Sequence, residues 1–236
     1  MRIGLVSYRC ENNNIPFNLH QIESALKETK GKTDLLCFGE AFLQGFDSLI
    51  WEYETDQKTA VAADGEIIQQ LCRWTEEYGT ALLTGYIEKA DDKIYSSCIV
   101  IAEGNILFNY RRITKGWKEY RRTDSHYCEG SEVSSFRLHG TNIRIALCGD
   151  LWDKPDRFKT DDLLIWPVYV NYSVSEWENG ILTEYALQAC KAASRTLMVN
   201  PLDTDPVNHG GAFFFQSGKI KDSIPFDREG ILIAEI

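Results

Sequence analysis

A cysteine and a glutamate in this sequence each follow a short apolar run, and together these residue types can carry out acyl transfer. Cys148 comes directly after the run 143–147 and is followed by Gly149. A thiolate at a strand end can attack a carbonyl carbon, and the N–H of the next residue can hold the oxyanion that forms. The alternative is a small buried core residue, which is common for cysteine. The choice between the two depends on the segments that accompany Cys148.

The glutamate is Glu40, which lies between the apolar run 35–38 and a second apolar stretch, 41–46. A carboxylate in such surroundings is unfavourable unless it is paired, protonated or used in chemistry. Glu40 is therefore a candidate general base for the thiol of Cys148. The alternative is a carboxylate at a strand end that points to water, and the position alone does not separate the two.

A third segment, residues 109–122, is basic and aromatic although the chain as a whole is acidic. A cation beside a thiolate lowers the pKa of the cysteine and stabilises a developing oxyanion. The candidate cations in this segment are Arg112, Lys115 and Lys118. A solvated basic face or an anion-binding loop has the same composition, so the segment is informative only together with Glu40 and Cys148.

Together the three segments resemble the nitrilase superfamily, also called the carbon–nitrogen hydrolases. In that family a glutamate, a lysine and a cysteine each lie just beyond a core strand. Residues 38–46 match the glutamate motif, with Gly39 in the usual proline position, and residues 147–150 match the cysteine motif, with Gly149 in the usual tyrosine position. The resemblance covers nearly the whole chain.

The resemblance implies that Glu40 and Cys148 are catalytic and that a lysine completes the site. Arg112 stands at the usual lysine position, and an arginine cannot release its proton at working pH. We therefore predict that a shifted loop brings Lys115 into the catalytic role, with Lys118 as the next candidate. If Arg112 fills the pocket instead, oxyanion stabilisation survives and general acid chemistry is in doubt.

The resemblance also predicts residues that contact the substrate. Many members carry a second glutamate between the lysine and a recurring glycine, and Glu119 or Asp124 is predicted to take that place. The other predicted substrate-binding residues are Arg112, Lys118, Gly149, Tyr169 and Asn171.

A fold and an activity follow from the same resemblance. The implied fold is an α/β structure, a four-layer α-β-β-α sandwich, formed by one domain over residues 1–236. The implied activity is hydrolysis of a small-molecule linear amide or N-carbamoyl compound through a cysteine thioester, without a metal or cofactor. Nitrile hydrolysis is the alternative within this class, and a non-catalytic member that binds a ligand or partner is the alternative outside it. A homodimer or a higher homo-oligomer is expected, as is usual in the family.

Composition narrows the class of protein. A chain of 236 residues with 44% hydrophobic residues can bury one large core. A net charge of −10 argues against a nucleic-acid-binding protein. No signal peptide is recognisable, and no apolar stretch reaches the about 18 residues that span a membrane. The seven cysteines form no Cys-x-x-Cys pair, which predicts reduced thiols, a cytoplasmic location and no zinc site.

Apolar periodicity predicts alternating strands and helices. The predicted strands are 1–8, 35–38, 81–88, 96–102, 105–110, 143–148, 162–166, 197–200, 211–215 and 231–236. The predicted helices are 18–29, 65–78 and 178–193. Because helices and strands interleave throughout, two sheets covered by helices are the expected packing.

Overall fold

Two β-sheets form the centre of the computed structural model, which describes residues 1–236. The strands are, in chain order, Arg2–Ser7 (β1), Leu35–Cys37 (β2), Val61–Ala62 (β3), Ala81–Ala90 (β4), Lys93–Ala102 (β5), Asn105–Arg111 (β6), Ser135–Leu138 (β7), Thr141–Ile145 (β8), Leu163–Pro167 (β9), Arg195–Thr204 (β10), Val207–Gln216 (β11), Lys219–Ile224 (β12) and Gly230–Glu235 (β13). The helices are Ile15–Thr29 (α1), Tyr53–Thr59 (α2), Glu66–Tyr78 (α3), Asp150–Asp153 (α4), Val174–Glu176 (α5) and Leu182–Cys190 (α6). None of these helices is long and apolar enough to cross a membrane.

Each sheet has parallel strands at its centre. The first sheet has the order β13-β1-β2-β4-β5-β6, with β3 beside β4, and the pairs β1–β2 and β2–β4 are parallel. The second sheet has the order β12-β11-β10-β9-β8-β7, and the pairs β8–β9 and β9–β10 are parallel. The central strands β2 and β9 are apolar and wholly buried, as expected for parallel strands that are covered on both faces.

Helices cover the outer face of each sheet. Ile22 of α1 and Leu71 of α3 pack with Leu82 of β4 in a cluster on the outer face of the first sheet. A larger cluster fills the space between the two sheets and continues to α6, where Tyr185 and Ala186 are buried. The order of layers is therefore helix, sheet, sheet, helix, and the predicted four-layer sandwich is confirmed.

Several elements differ from the sequence-based expectation. The predictions lack α2, α4, β3, β7 and β12. Strand β12 is exposed along nearly its whole length, so its residues show no apolar alternation. The predicted helix 178–193 begins earlier, at Val174, and is interrupted at Gly180, which has a φ of 134°. The predicted strand 143–148 ends at Ile145, which places Cys148 in the loop after β8.

Candidate active site

Two loops at neighbouring sheet ends carry the predicted glutamate and cysteine. Glu40 follows β2 and Cys148 follows β8, each by three residues. The N–H of Glu40 donates to the carbonyl of Val168 (3.2 Å), and the N–H of Cys148 donates to the carbonyl of Pro167 (3.0 Å). Both loops are therefore fixed to the end of β9, and the two sheets bring Glu40 and Cys148 together.

The backbone of Cys148 is held in an unusual conformation. Its φ is 40°, in the left-handed region that favours glycine, and such a conformation typically costs on the order of 1–3 kcal/mol. The carbonyl of Cys148 accepts a hydrogen bond from the indole Nε1 of Trp166 (2.8 Å). Hydrogen bonds from β9 to the N–H and to the carbonyl of Cys148 hold this strained conformation. Strained backbone conformations are frequent at functional sites.

The carboxylate of Glu40 is fully buried, and its two oxygens have different surroundings. Oε1 accepts hydrogen bonds from the hydroxyl of Ser96 (3.0 Å) and from Nη1 of Arg112 (2.9 Å). Oε2 is buried and has no hydrogen-bond partner in the protein. One oxygen therefore orients the carboxylate, while the other remains free to accept a proton.

The thiol of Cys148 is protonated at neutral pH. Burial raises the pKa of this thiol, the charge of Glu40 acts in the same direction, and the charge of Arg112 opposes the rise, so that the resulting pKa is about 12. The sequence predicts that a nearby cation lowers the thiol pKa, and Arg112 acts in that direction, but burial outweighs it. The thiol consequently needs a base to become a nucleophile.

The cation of this site is Arg112, whose side chain is only 3% exposed. Its Nε donates to the hydroxyl of Thr114 (3.1 Å), and its Nη1 donates to Glu40. Burial acts to lower the pKa of Arg112, but the charges of Glu40, Cys148 and Asp150 outweigh burial and raise it. Arg112 therefore stays charged and cannot shuttle a proton.

A single buried carboxylate, Asp150, ties the segment that carries the arginine to the loop that carries the cysteine. Its Oδ1 accepts from the hydroxyl of Thr114 (2.8 Å) and the N–H of Ile113 (3.2 Å). Its Oδ2 accepts from the hydroxyl of Tyr110 (2.6 Å) and the N–H of Leu147 (3.1 Å). Four donors fix this group, so the distance between the cation and the thiol is set by the protein scaffold.

The two lysines predicted for the catalytic role are not brought to Glu40. Lys115 is exposed, and its side chain makes no hydrogen bond or ion pair. Lys118 is largely buried, but it forms an ion pair with Glu129 (2.7 Å) and donates to the carbonyl of Tyr127. The residue beside the carboxylate is instead Arg112, at the usual lysine position.

The remaining predicted substrate-binding residues fall into two groups. Gly149 and Tyr169 adjoin the thiol, and the carbonyl of Tyr169 lies 3.9 Å from the sulfur. Glu119, Asp124 and Asn171 are exposed, and none of their side chains bonds to the residues of the site. The structure therefore supplies no second glutamate at the positions where the resemblance predicts one.

An aromatic cluster flanks the site on the side of the first sheet. The ring of Trp51 lies 6.4 Å from that of Trp117 and 6.0 Å from that of Tyr127. Trp117 and Tyr127 share a buried cluster with Ala41, the residue that follows Glu40, and the half-buried ring of Trp51 packs against this cluster. The hydroxyl of Tyr127 donates to the buried carboxylate of Asp56 (2.6 Å), which fixes one ring of this apolar wall.

The sequence patterns assign no role to three polar residues of this network: Ser96, Thr114 and Asp150. Ser96 and its neighbour Ser97 are buried hydroxyl residues within the mainly apolar strand β5, and Asp150 follows the cysteine and glycine directly, so both Ser96 and Asp150 carried a local signal. Thr114 lies among charged residues in segment 109–122, and no local pattern distinguishes it there. No three His, Cys, Asp or Glu side chains form a group that could hold a metal ion.

One family model and several characterised proteins are similar to this chain. The family model for carbon–nitrogen hydrolases matches residues 2–154, which include Glu40, Arg112 and Cys148. An (R)-stereoselective amidase from a Pseudomonas species is 25% identical over 151 residues, or 64% of this chain and 52% of the amidase. A glutamine-dependent NAD(+) synthetase from Thermotoga maritima is 24% identical over 157 residues, or 65% of this chain and 26% of the synthetase. The matched region thus spans about half of the first relative's length and about a quarter of the second's.

A solved structure shows the same fold. It is a mutant of the amidase from Nesterenkonia, in which acrylamide has added to the active-site cysteine. The TM-score is 0.79 at 15% identity, and the match covers the whole of this chain and 93% of the amidase chain. At this level of identity the likeness establishes the arrangement of the two sheets and their helices.

Proposed function

The chain belongs to the carbon–nitrogen hydrolase family, and from this premise we propose that it hydrolyses a linear amide or N-carbamoyl compound through a thioester on Cys148. The observation that carries the proposal is the contact of a buried carboxylate with a buried cation beside a thiol: Glu40, Arg112 and Cys148. The amidase activity of the Pseudomonas relative supports an amide as the substrate class.

The first step is attack by the thiol on the carbonyl carbon. Oε2 of Glu40, which has no other partner, takes the proton from Sγ as the C–S bond forms and the carbonyl electrons move to oxygen. The N–H of Gly149 donates to no acceptor in the protein, so it is available to the oxyanion together with the charge of Arg112. Transfer of the proton to Glu40 is required because the resting thiol has a pKa of about 12.

The second step releases the amine. When the oxyanion collapses, the C–N bond breaks and the nitrogen takes the proton held by Glu40. Water then adds to the thioester while Glu40 accepts its proton, and breaking of the C–S bond returns the proton to Sγ and releases the acid. Arg112 gives up no proton in either half, so one carboxylate carries every proton in this mechanism.

The test is release of ammonia or amine from a panel of linear amides, N-carbamoyl compounds and nitriles. We expect turnover of an amide or a carbamoyl compound by the wild type, none by Cys148→Ala, and a loss of about 10²- to 10⁴-fold in Glu40→Gln. Cys190→Ala is the matched control, because Cys190 is an exposed cysteine in α6. Its turnover is expected to equal that of the wild type.

Other outcomes of the same panel separate the alternatives. Turnover of nitriles alone would favour nitrile hydrolysis, which begins with the same attack of the thiol on carbon. Turnover by Cys148→Ala at the wild-type rate would exclude the thioester. A wild type inactive on the whole panel would favour a non-catalytic ligand-binding protein. The small-molecule substrate, the homodimer, the cytoplasmic location and the independence from nucleic acid and membranes stay predictions.

A further inference from the structure

Gly149 is a glycine at a position where the backbone does not require one. Its φ of −61° and ψ of −13° lie in the right-handed helical region that every residue adopts. The obstacle to a side chain is Arg112, because a Cβ atom on Gly149 would lie 2.4 Å from Nη2. That separation is far below the van der Waals contact of about 3.5 Å. The glycine therefore makes room for the guanidinium group.

A second glycine, Gly116, borders the same nitrogen. A Cβ atom on Gly116 would lie 2.9 Å from Nη2 of Arg112, and no other atom that it would meet lies within 4 Å. Gly116 also has no positive φ that would demand glycine. Two glycines from different loops thus leave space for one nitrogen atom, Nη2.

The rest of the guanidinium group is held in place. Nε is bound to Thr114 and Nη1 to Glu40, whereas Nη2 donates to no acceptor in the protein. The group is nearly completely buried, so it cannot turn away from a new side chain without losing these bonds. The free donor therefore points into the space between the two glycines, beside the free N–H of Gly149.

We propose that Gly149 and Gly116 form an arginine slot, in which Nη2 of Arg112 is positioned as the second oxyanion donor beside the N–H of Gly149. This inference rests on the proposed function and explains why a glycine follows the nucleophile where the family usually has tyrosine. Gly149 and Gly116 are positioning residues, and Arg112 is the group that contacts the reacting oxygen. A lysine at position 112 has no nitrogen that corresponds to Nη2 and would leave the slot empty.

The test is a double-mutant cycle of Gly149→Ala with Arg112→Lys. The readouts are kcat/KM for the amide and the rate at which iodoacetamide labels Cys148 at pH 8, measured by mass spectrometry. With Arg112 present, Gly149→Ala is expected to lower kcat/KM about tenfold to a hundredfold, because a displaced guanidinium no longer fits the oxyanion. It is expected to lower labelling about threefold to tenfold, because a more distant cation raises the thiol pKa.

With lysine at position 112, the same alanine is expected to change either readout less than about twofold, since the clash with Nη2 is gone. If the double variant is labelled as fast as Arg112→Lys alone, the methyl group of the new alanine does not itself obstruct the thiol. The matched control is Gly230→Ala, where the added Cβ meets its nearest neighbour at an ordinary 3.5 Å. If Gly149→Ala does not fold, Gly116→Ala tests the same nitrogen from the surface, with an expected loss of several-fold.

The slot is refuted if Gly149→Ala is equally harmful with arginine and lysine at position 112. It is also refuted if Gly116→Ala, or Gly149→Ala with arginine present, behaves like Gly230→Ala. Failure of the proposed function gives a different result. The wild type would then release no product, while the labelling rates would still show that the effect of Gly149→Ala depends on the residue at position 112.

Discussion

The buried ion pair between Arg112 and Glu40 predicts a large loss of stability when the arginine alone is removed. Arg112→Met keeps an unbranched side chain but leaves the Glu40 carboxylate, which is 0% exposed, with Ser96 as its only hydrogen-bond partner. Removing one member of a buried ion pair typically costs about 3–5 kcal/mol, because the other charge stays buried without compensation. In a domain of this size each kcal/mol shifts Tm by about 2–4 °C, so we expect a decrease of roughly 6–20 °C.

The double variant Arg112→Met with Glu40→Gln shows whether the loss comes from the charge or from the shape. It removes both charges and nearly preserves the volume, so we expect it to be more stable than Arg112→Met with Glu40 in place. Buried ion pairs replaced as a unit are often close to neutral in stability. The expected coupling between the two substitutions is at least about 2 kcal/mol.

Urea unfolding followed by fluorescence and circular dichroism measures these free energies. The matched control is Arg121→Met, because Arg121 is exposed and forms no ion pair; its change is expected to stay within about 0.5 kcal/mol. A loss below about 1 kcal/mol in Arg112→Met would refute the reasoning. Additive losses in the double variant would refute it too, since the two charges would then not depend on each other.

Two further predictions concern ionisable groups. Because burial raises the pKa of Cys148 to about 12, its alkylation by iodoacetamide at pH 7 should be slower than that of exposed Cys190 and should rise steadily to pH 10; a plateau near pH 8 would contradict this. Burial acts to raise the pKa of Glu88, but hydrogen bonds from Arg111 and Ser97 outweigh it and the net pKa is lowered. Its stabilisation is therefore present above the unfolded-state pKa and is lost as the pH falls through the folded-state pKa. Glu88→Gln should lose on the order of 1–3 kcal/mol at pH 7 and less at pH 3, by urea unfolding; a difference independent of pH would argue against the pair.

The sequence was sufficient to place the glutamate and the cysteine. Both follow short, mainly apolar runs. The first forms the wholly buried strand β2, and the second contributes to β8, in which Ile143 and Ile145 are buried while Asn142 is exposed. The position of the cation also had a signal. Arg112 lies two residues after Tyr110, so the alternation of a strand puts both toward the space between the sheets, while Arg111 points outward to Glu88.

The rest of the site depends on tertiary contacts that no local pattern contains. Ser96 and Glu40 are 56 positions apart in the sequence, and their hydrogen bond exists only because β5 and the loop after β2 meet. The same holds for Asp150, whose bonds reach back to Tyr110. The edge strand β12 was not predicted because it is exposed. An exposed strand needs no apolar face, so its sequence resembles that of a loop.

The residues proposed to react and the residues that fix the backbone of the proposed nucleophile lie in different parts of the chain. Glu40, Arg112 and Cys148 all lie before residue 154, the end of the family match. The bonds that hold the left-handed backbone of the cysteine come from Trp166 and Pro167, in β9. A fragment ending at 154 would thus keep Glu40, Arg112 and Cys148 but lose the hydrogen bonds that hold the backbone of Cys148 in its left-handed conformation. Under the proposed mechanism, reactivity depends on the finished tertiary structure, and substitutions at Trp166 or Pro167 are expected to lower activity although neither residue takes part in the chemical steps.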